Sequence, residues 1–303
     1  WVEPISSSFL DKNVYVQPPN SQGIALPMQL KMSEQLDVAE MDHNSADYIH
    51  TLVELKKLAF ADRDRWVTDF DKSPAPLDQL LDDEYLTERA GLVSDQAMES
   101  AEAGFGDEIG SDPASGDGDT VYLMVVDQDG NAVSWIQSLF SSFGSKLVEP
   151  ETGIVLQNRG GGFTLEEGHP NIIEPGKRPF HTLTPVMVTD SEGHFNMTLG
   201  TPGGHGQTQT QIQVLHNIFV FGMHPQEAIE APRYRSNNGT RVAIENRISL
   251  EVRDQLRLKG HDLQVIDGWS ATFGGAQMIW LDRENGVLRT GADPRREAAA
   301  IAY

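Results

Sequence analysis

The sequence contains no cysteine, which excludes disulfides and thiolate chemistry and leaves the redox compartment open. Positive charge is scarce. Only 23 lysines and arginines stand against 45 acidic residues, a net charge of −22. Non-specific binding of nucleic acid needs a basic surface, so that class of partner is excluded. Acidity on this scale favours solubility and is compatible with a salty or secreted setting. No apolar run approaches the ~20 residues that span a bilayer, and no repeat stands out along the chain. The nine histidines show no H-E-x-x-H or comparable metal-ligand spacing. There is neither a G-x-S-x-G elbow nor a dinucleotide fingerprint on a strand–helix turn. The chain opens Trp1-Val2-Glu3-Pro4 rather than at methionine. It reads as a fragment or a processed product, with any targeting segment upstream.

With 303 residues, 39% of them hydrophobic, the chain can bury the core of one large domain or two interleaved ones. The first hundred residues read as mostly helical. In "ADYIHTLVELKKLAFADRDRW", Ile49, Leu52, Val53, Ala59 and Phe60 fall near one face at helical spacing, with Asn44 and Ser45 as cap candidates. "PLDQLLDDEYLTERAGLV" reads as a shorter helix pair. From Gly104 to Asp119 the run "GFGDEIGSDPASGDGD" is acidic, glycine-rich and without period, the pattern of an exposed, protease-sensitive linker. Behind it "VYLMVV" and "AVSWIQS" flank Asp129-Gly130, a hairpin signal. "TGIVLQN", "TPVMVTD" and "HFNMTLG" read as further strands. "QTQTQIQVLHNIFVFG" reads as a helix burying Ile212, Leu215, Ile218 and Phe219, and "HPQEAIEAPR" as a short helix opened by Pro225. Strand, helix and three strands follow in the last sixty residues. Helices followed by a strand-rich half indicate a layered α+β protein.

The junction at Thr120 carries the first chemical signal. A threonine hydroxyl is a weak nucleophile unless a base sits beside it, and its own α-amine serves if the preceding peptide bond is cut. A cleavable linker followed directly by a threonine and a rigid strand meets that need. The plainer reading is a β-branched residue opening a strand.

"DTVYLMVVDQDGNAVS" resembles the start of the small subunit of the gamma-glutamyltransferases, a family of N-terminal-nucleophile hydrolases. "WVEPI", "PPNSQGIA" and "LKKLAFAD" resemble the end of that family's large subunit. "FGSKLVEPETGIVLQN", "GKRPFHTLTPVM", "GTPGGHG", "EAIEAPR" and "GADPRREAAAIAY" resemble its small subunit, in the same order. The resemblance implies a four-layer αββα sandwich: two stacked, mainly antiparallel sheets flanked by helices. Residues 1–119 would be the end of the large-subunit region and 120–303 the small subunit, interleaved in one domain. It implies a zymogen that cuts its own Asp119–Thr120 bond, after which Thr120 is the nucleophile and its freed amine the base. Acyl transfer to water or an amine would follow, without metal or organic cofactor. Ser138 would orient the nucleophile, or be an ordinary polar strand residue. Gly203 and Gly204 would donate backbone N–H groups to the oxyanion, a role that suits residues without side chains. The partners implied are a small amide substrate and the first half of the large subunit, which is missing here. A homo-oligomer is open. The family setting is periplasmic or secreted, and the sequence leaves the cytoplasm open.

The donor site departs from true gamma-glutamyl enzymes. Their Asn is Phe140 here, and their Asp-Asp-Phe, whose acid grips the substrate α-amine, is "GGGF", so Gly162 cannot pair an ammonium. Arg159 beside it can hold a carboxylate in bidentate fashion. His181 and Thr182 replace a Ser-Ser pair that touches the substrate carboxylate; His181 is a cation or donor, or simply a packed histidine. The loop from Gly162 to Lys177 is short, which suggests an open site, and Lys177 and Arg178 read as loop decoration. Arg295 reads as structural, paired with an acid. These departures resemble the glutaryl-cephalosporin-acylase branch. Three readings result: a gamma-glutamyl enzyme, an amidase for dicarboxylic monoamides without that specificity, or a silent member that serves as a binding protein.

Overall fold

The computed structural model describes residues 1–105 and 118–302, with backbone only at Gly118 and Asp119. Most of the expected linker therefore lies outside the described residues, as does the Asp119 side chain. Eleven strands and seven α-helices are formed among the described residues. The strands are β1 (Ile5–Phe9), β2 (Lys12–Val16), β3 (Gly118–Val126), β4 (Ala132–Ser141), β5 (Val186–Asp190), β6 (Phe195–Gly200), β7 (Tyr234–Ser236), β8 (Arg241–Glu245), β9 (Asp262–Ile266), β10 (Gln277–Asp282) and β11 (Val287–Ala292). The helices are α1 (Ala25–Gln35), α2 (Ala46–Trp66), α3 (Leu77–Leu80), α4 (Asp83–Ala90), α5 (Gly206–Phe219), α6 (Pro225–Glu230) and α7 (Leu250–Leu258).

Local chemistry explains most of these limits. The Ser45 hydroxyl caps α2 by accepting from Tyr48 N–H, and Asp82 caps α4 by accepting from Tyr85 N–H. Asp127 folds the β3–β4 turn, taking N–H groups from Asp129 and Asn131 while Gly130 supplies a positive φ of 82°. Two stretches depart from the sequence reading. The N-terminal part, read as mostly helical, opens with a hairpin, β1–β2, formed by "ISSSF" and "KNVYV". The alternation of β1 is real, but serine at three of its five positions hides it. "TGIVLQN" is not a strand and contributes only an isolated bridge, Val148 to Val155, with Ile154 and Leu156 exposed.

A six-stranded sheet runs in the order β1-β2-β5-β6-β10-β11, antiparallel at every step. Strand β2 lies before Thr120 in the chain and pairs with β5, which lies after it. One face of this sheet, with Met197 and Leu199 of β6, joins the core built by α1, α2 and α5. Thr198 points the other way by alternation, and there it meets the separate β3–β4 ribbon: the Tyr122 hydroxyl bonds Thr198 and Ser134 at 2.8 and 2.7 Å. Gly200 makes this packing possible, since a Cβ there would lie 2.2 Å from the Tyr122 ring. Ribbon, sheet and helices make three layers. A three-stranded sheet, β7-β8-β9, lies apart, with its β8–β9 pair parallel. The outer face of the ribbon is bare: Val121, Leu123, Val125, Val133 and Trp135 are all exposed.

Near the C-terminus a buried ion network closes the fold. Arg295 bonds Glu245 and Asp293 at 2.6 and 3.1 Å, and Arg233 bonds Asp293 at 2.6 Å. The same Asp293 accepts Ala276 N–H, which fixes the loop before β10.

Candidate active site

Thr120 is 8% exposed, and its Oγ1–H donates to Ser138 Oγ at 2.9 Å. The contact depends on a fault in the ladder. Asp119 faces Phe140, but Thr120 faces Ser138, so Leu139 is an extra residue on β4. Such a bulge re-aims side chains and bends the strand. Its strain is visible at Phe140, where φ is +78°, an unusual value for a bulky residue. Ser138 Oγ also accepts Phe140 N–H at 2.9 Å, so one serine braces both the threonine and the distorted backbone.

Phe140 faces the second group of residues. With Arg159, Gly162, Phe180, His181, Thr182 and His205 it lines a cavity of about 10 Å³, room for a single water molecule. These walls are close together. Arg159 is 8% exposed. It reaches Thr182 Oγ1 at 3.5 Å, and its guanidinium lies 5.0 Å from the Phe140 ring centre. Its Nε has no partner among the described residues, and no carboxylate lies within salt-bridge distance of it there. Burial alone lowers its pKa to about 10. The cation reading of His181 is overturned. Desolvation, then the charges of Arg159 and Arg178, pushes it down to about 3, and its Nδ1 accepts Leu183 N–H at 3.2 Å as a neutral ring. Gly162 has room for a Cβ only if Phe180 O, 3.3 Å away, gives slightly.

The Gly203–Gly204 turn joins β6 to α5, with φ values of +135° and +57°. Both residues accept helix-opening bonds through their carbonyls, from Gly206 and Gln207, while their own N–H groups have no partner among the described residues. No hydrogen bond joins them to Thr120. Proximity comes through the ribbon: Thr120 and Tyr122 share a face of β3, and Tyr122 packs on Gly200 at the end of β6.

Three residues that the sequence reading passed over hold these parts together. Gln22 Nε2 donates to Thr182 O at 2.9 Å and to Gly204 O at 3.1 Å, clamping the cavity wall to the glycine turn. Arg63, fully buried, donates to Gln22 Oε1 at 3.0 Å and lies 3.1 Å from His205 Nδ1. The signal was "PPNSQGIA", a motif noticed for its resemblance and not for its glutamine. Lys177 and Arg178 are corrected too. Lys177 is buried against Glu174, and Arg178 bonds Asp69 and Asp71, holding the Asp69 carboxyl down at about 2.

The family model for gamma-glutamyltranspeptidase matches residues 1–303. The chain belongs to the gamma-glutamyltranspeptidase family. It is 40% identical, over 99% of its length, to the glutathione hydrolase-like YwrD proenzyme of Bacillus subtilis, and 36% identical, over 94%, to the oxamate amidohydrolase proenzyme of Klebsiella pneumoniae. It covers 56% and 52% of those two proteins, so it spans about half the length of the relatives it matches. Among solved structures it resembles a cephalosporin acylase from Bacillus halodurans (TM-score 0.86, 36% identity), covering 100% of this chain and 54% of that one. A gamma-glutamyltranspeptidase from Pseudomonas nitroreducens (TM-score 0.54, 30% identity) matches 60% of this chain and 98% of its own.

One further constellation departs from the sequence reading, in which the histidines looked scattered. In this family member His50 and Glu54 of α2 meet His261, all three buried. His50 and Glu54 are one helical turn apart, but His261 follows 211 positions after His50, a distance no spacing rule spans.

Proposed function

We propose that the protein is a self-processing amidohydrolase or acyltransferase that works through Thr120. In the uncut chain Thr120 Oγ1 attacks the Asp119 carbonyl. The C–N bond breaks, the proton passes to the Thr120 nitrogen, and water hydrolyses the resulting ester. This leaves an Asp119 carboxylate and a free Thr120 amine. The observation that carries this reading is the Thr120 hydroxyl, held 2.9 Å from Ser138 Oγ at a bulge beside the bond to be cut. Residues 120–303 are 184 of 303, about 61% of the chain, close to the 60% matched by the separate Pseudomonas chain. That proportion supports a cut at this place.

In turnover the amine takes the Oγ1 proton as the hydroxyl attacks an amide carbonyl. The developing oxyanion is met by the N–H groups of Gly203 and Gly204, aided by the N-terminus of α5. The leaving amine departs protonated, and water or a second amine resolves the acyl-Thr120 ester. The acyl group carries a carboxylate, which Arg159 and Thr182 hold. A buried guanidinium without a counterion is costly, and a substrate carboxylate offsets that cost. Among the described residues no carboxylate lines the cavity to hold an α-ammonium, which favours dicarboxylic monoamides of the glutaryl or shorter type over γ-glutamyl amides.

The polypeptide corresponding to the unmatched half of the relatives covers the bare face of the β3–β4 ribbon. It thereby completes the second sheet and the outer helices of a four-layer sandwich. Intact mass of the full-length protein tests the whole reading. A fragment beginning at Thr120 appears in the wild type and is absent from Thr120→Ala. Cleavage before position 120 in that variant would sink it. Glutaryl, oxamoyl and γ-glutamyl anilides then rank the donors.

A further inference from the structure

Away from Thr120, a chain of polar atoms crosses the buried junction between α2, the segment Ser94–Met98 and the turn after α7. It runs from the Ser94 carbonyl to His50 Nε2 (2.7 Å), from His50 Nδ1 to His261 Nε2 (2.9 Å), and ends at the His261 ring, on which the Thr240 backbone acts. Three links require three protons, because a carbonyl closes each end and can only accept. Two neutral imidazoles carry two protons. One link must stay open, and it is the last: His261 Nδ1 is buried and has no hydrogen bond among the described residues. Buried polar atoms are rarely left so, and each exception calls for a cause.

We infer that His50, Glu54 and His261 form a binding site for a borderline divalent transition metal, with zinc as the expected ion. A cation between His50 Nδ1 and His261 Nε2 lets both rings turn their N–H groups outward, to Ser94 and Thr240, and every link is then made. Outward N–H donation to a carbonyl is the arrangement that fixes the tautomer of a metal-bound histidine. Glu54 Oε1 lies 4.0 Å from His261 Nε2, and the donor atoms of the three residues all lie within 4.8 Å of one another. Zinc–nitrogen bonds of about 2.0–2.1 Å place two tetrahedral ligands roughly 3.3 Å apart, so the imidazoles open by a few tenths of an ångström and the carboxylate closes in. Glu54 is already oriented, since its Oε2 accepts Met98 N–H at 2.9 Å. Lys57 competes for Oε1 at 2.7 Å, but its ammonium also holds the Met98 carbonyl at 2.7 Å and keeps that partner when the metal enters. Two nitrogens and one oxygen suit zinc better than magnesium or calcium. The site shares no residue with the Thr120 chemistry. Its role is to staple three separate segments.

The test uses the full-length protein, stripped with chelator, reloaded with Zn²⁺ and dialysed. One equivalent of zinc per chain is expected, with a raised melting temperature that chelator reverses, and Co²⁺ is expected to give visible absorption bands of a nitrogen-containing site. His261→Gln and Glu54→Gln should each weaken binding at least tenfold. His194→Ala, which removes a surface histidine beside Asp190 and Glu192, should leave the stoichiometry unchanged. Wild-type protein that keeps no zinc after reloading and shows no Co²⁺ bands overturns the site even if the variants fail to fold. So does zinc retained in full by a folded His261→Gln protein. Activity on anilides is read in parallel, and its loss or survival bears on the Thr120 reading alone.

Discussion

At the scale of single residues the site rests on a few hydrogen bonds whose removal has separable effects. Ser138→Ala leaves Thr120 in place but frees its hydroxyl to rotate and loosens the bulge. Misplacing a nucleophile by about 1 Å costs on the order of 100-fold, so kcat for anilide hydrolysis should fall by roughly that factor with KM nearly unchanged. Equal rates in variant and wild type would reduce Ser138 to an ordinary strand residue. Arg159 makes a prediction of two signs. Arg159→Met should raise the melting temperature of the ligand-free protein, because a buried charge without a partner is replaced by an apolar chain of similar length. The same change should lower kcat/KM for a glutaryl anilide on the order of 100-fold and leave an acetyl anilide nearly untouched. A melting temperature that falls would mean that the guanidinium has a structural counterion after all. Histidines add a pH dependence. His181 and His216 are each pushed down to about 3, chiefly by burial. Their unfolded values stand near 6.5, so between pH 6.5 and 3 the unfolded state binds more protons and stability falls as pH falls. His216 stacks on Phe9 and lies 3.1 Å from Ser33 Oγ, with Tyr48 tilted against it. His216→Gln should flatten the slope of stability against pH by up to about 1.4 kcal/mol per unit over that window, measured by denaturant melts from pH 7 to 4.5.

At the scale of elements, the proposed function falls where regular structure is interrupted. The bulge in β4 aims Ser138 at Thr120, and the glycine turn between β6 and α5 leaves two N–H groups without partners among the described residues. Gly203 has φ +135°, which a side chain does not tolerate. Gly203→Ala should therefore cost about 1–3 kcal/mol of stability and, if the turn shifts to relieve the strain, on the order of 100-fold in kcat through displacement of the proposed oxyanion donors. Gln22→Leu offers the complementary case, since it severs the clamp between Thr182 and Gly204 and also removes the acceptor of the buried Arg63 guanidinium. A fall in both kcat and melting temperature is expected, and a variant as fast as the wild type would remove Gln22 from the positioning machinery. Much at this scale was legible in the sequence. Helix α2 announces itself by the spacing of Ile49, Leu52 and Phe60 and by its Ser45 cap, and the β3–β4 hairpin by Asp129-Gly130. The hairpin β1–β2 was not legible, because "ISSSF" has the alternation of a strand with the composition of a loop. "TGIVLQN" erred in the opposite sense: its apolar residues match a strand, yet among the described residues it pairs only through the isolated bridge from Val148 to Val155.

At the scale of the whole molecule the fold is lopsided. Helices cover one face of the six-stranded sheet, while the ribbon covers the other and turns Val121, Leu123, Val125, Val133 and Trp135 outward. Contiguous exposed apolar faces mark interfaces, and this chain spans about half the length of the relatives it matches. The 303-residue chain by itself should bind a hydrophobic dye and associate at micromolar concentration. In the full-length protein Trp135 fluorescence should be blue-shifted and β3–β4 amides protected from exchange. An equally exposed Trp135 in the full-length protein would place the counterpart of the relatives' unmatched half elsewhere.

The sequence by itself determined whatever depends on local chemistry and on order along the chain. It left no cysteine for thiol chemistry, argued against non-specific nucleic-acid binding, marked Thr120 as a residue worth testing, supplied the run of motifs that identifies the family, and through that resemblance set Gly162 against the family's amine-holding acid. Only the tertiary structure decided which distant groups meet. It brought Gln22 to Thr182 and Gly204, left Arg159 buried with no carboxylate beside it among the described residues, lowered the basicity of His181 by burying it, and set His50 and Glu54 against His261. The reason is physical. Propensities, caps and turns act over a few residues, whereas desolvation and hydrogen-bond satisfaction act across space, and no spacing rule reads them until the chain has packed.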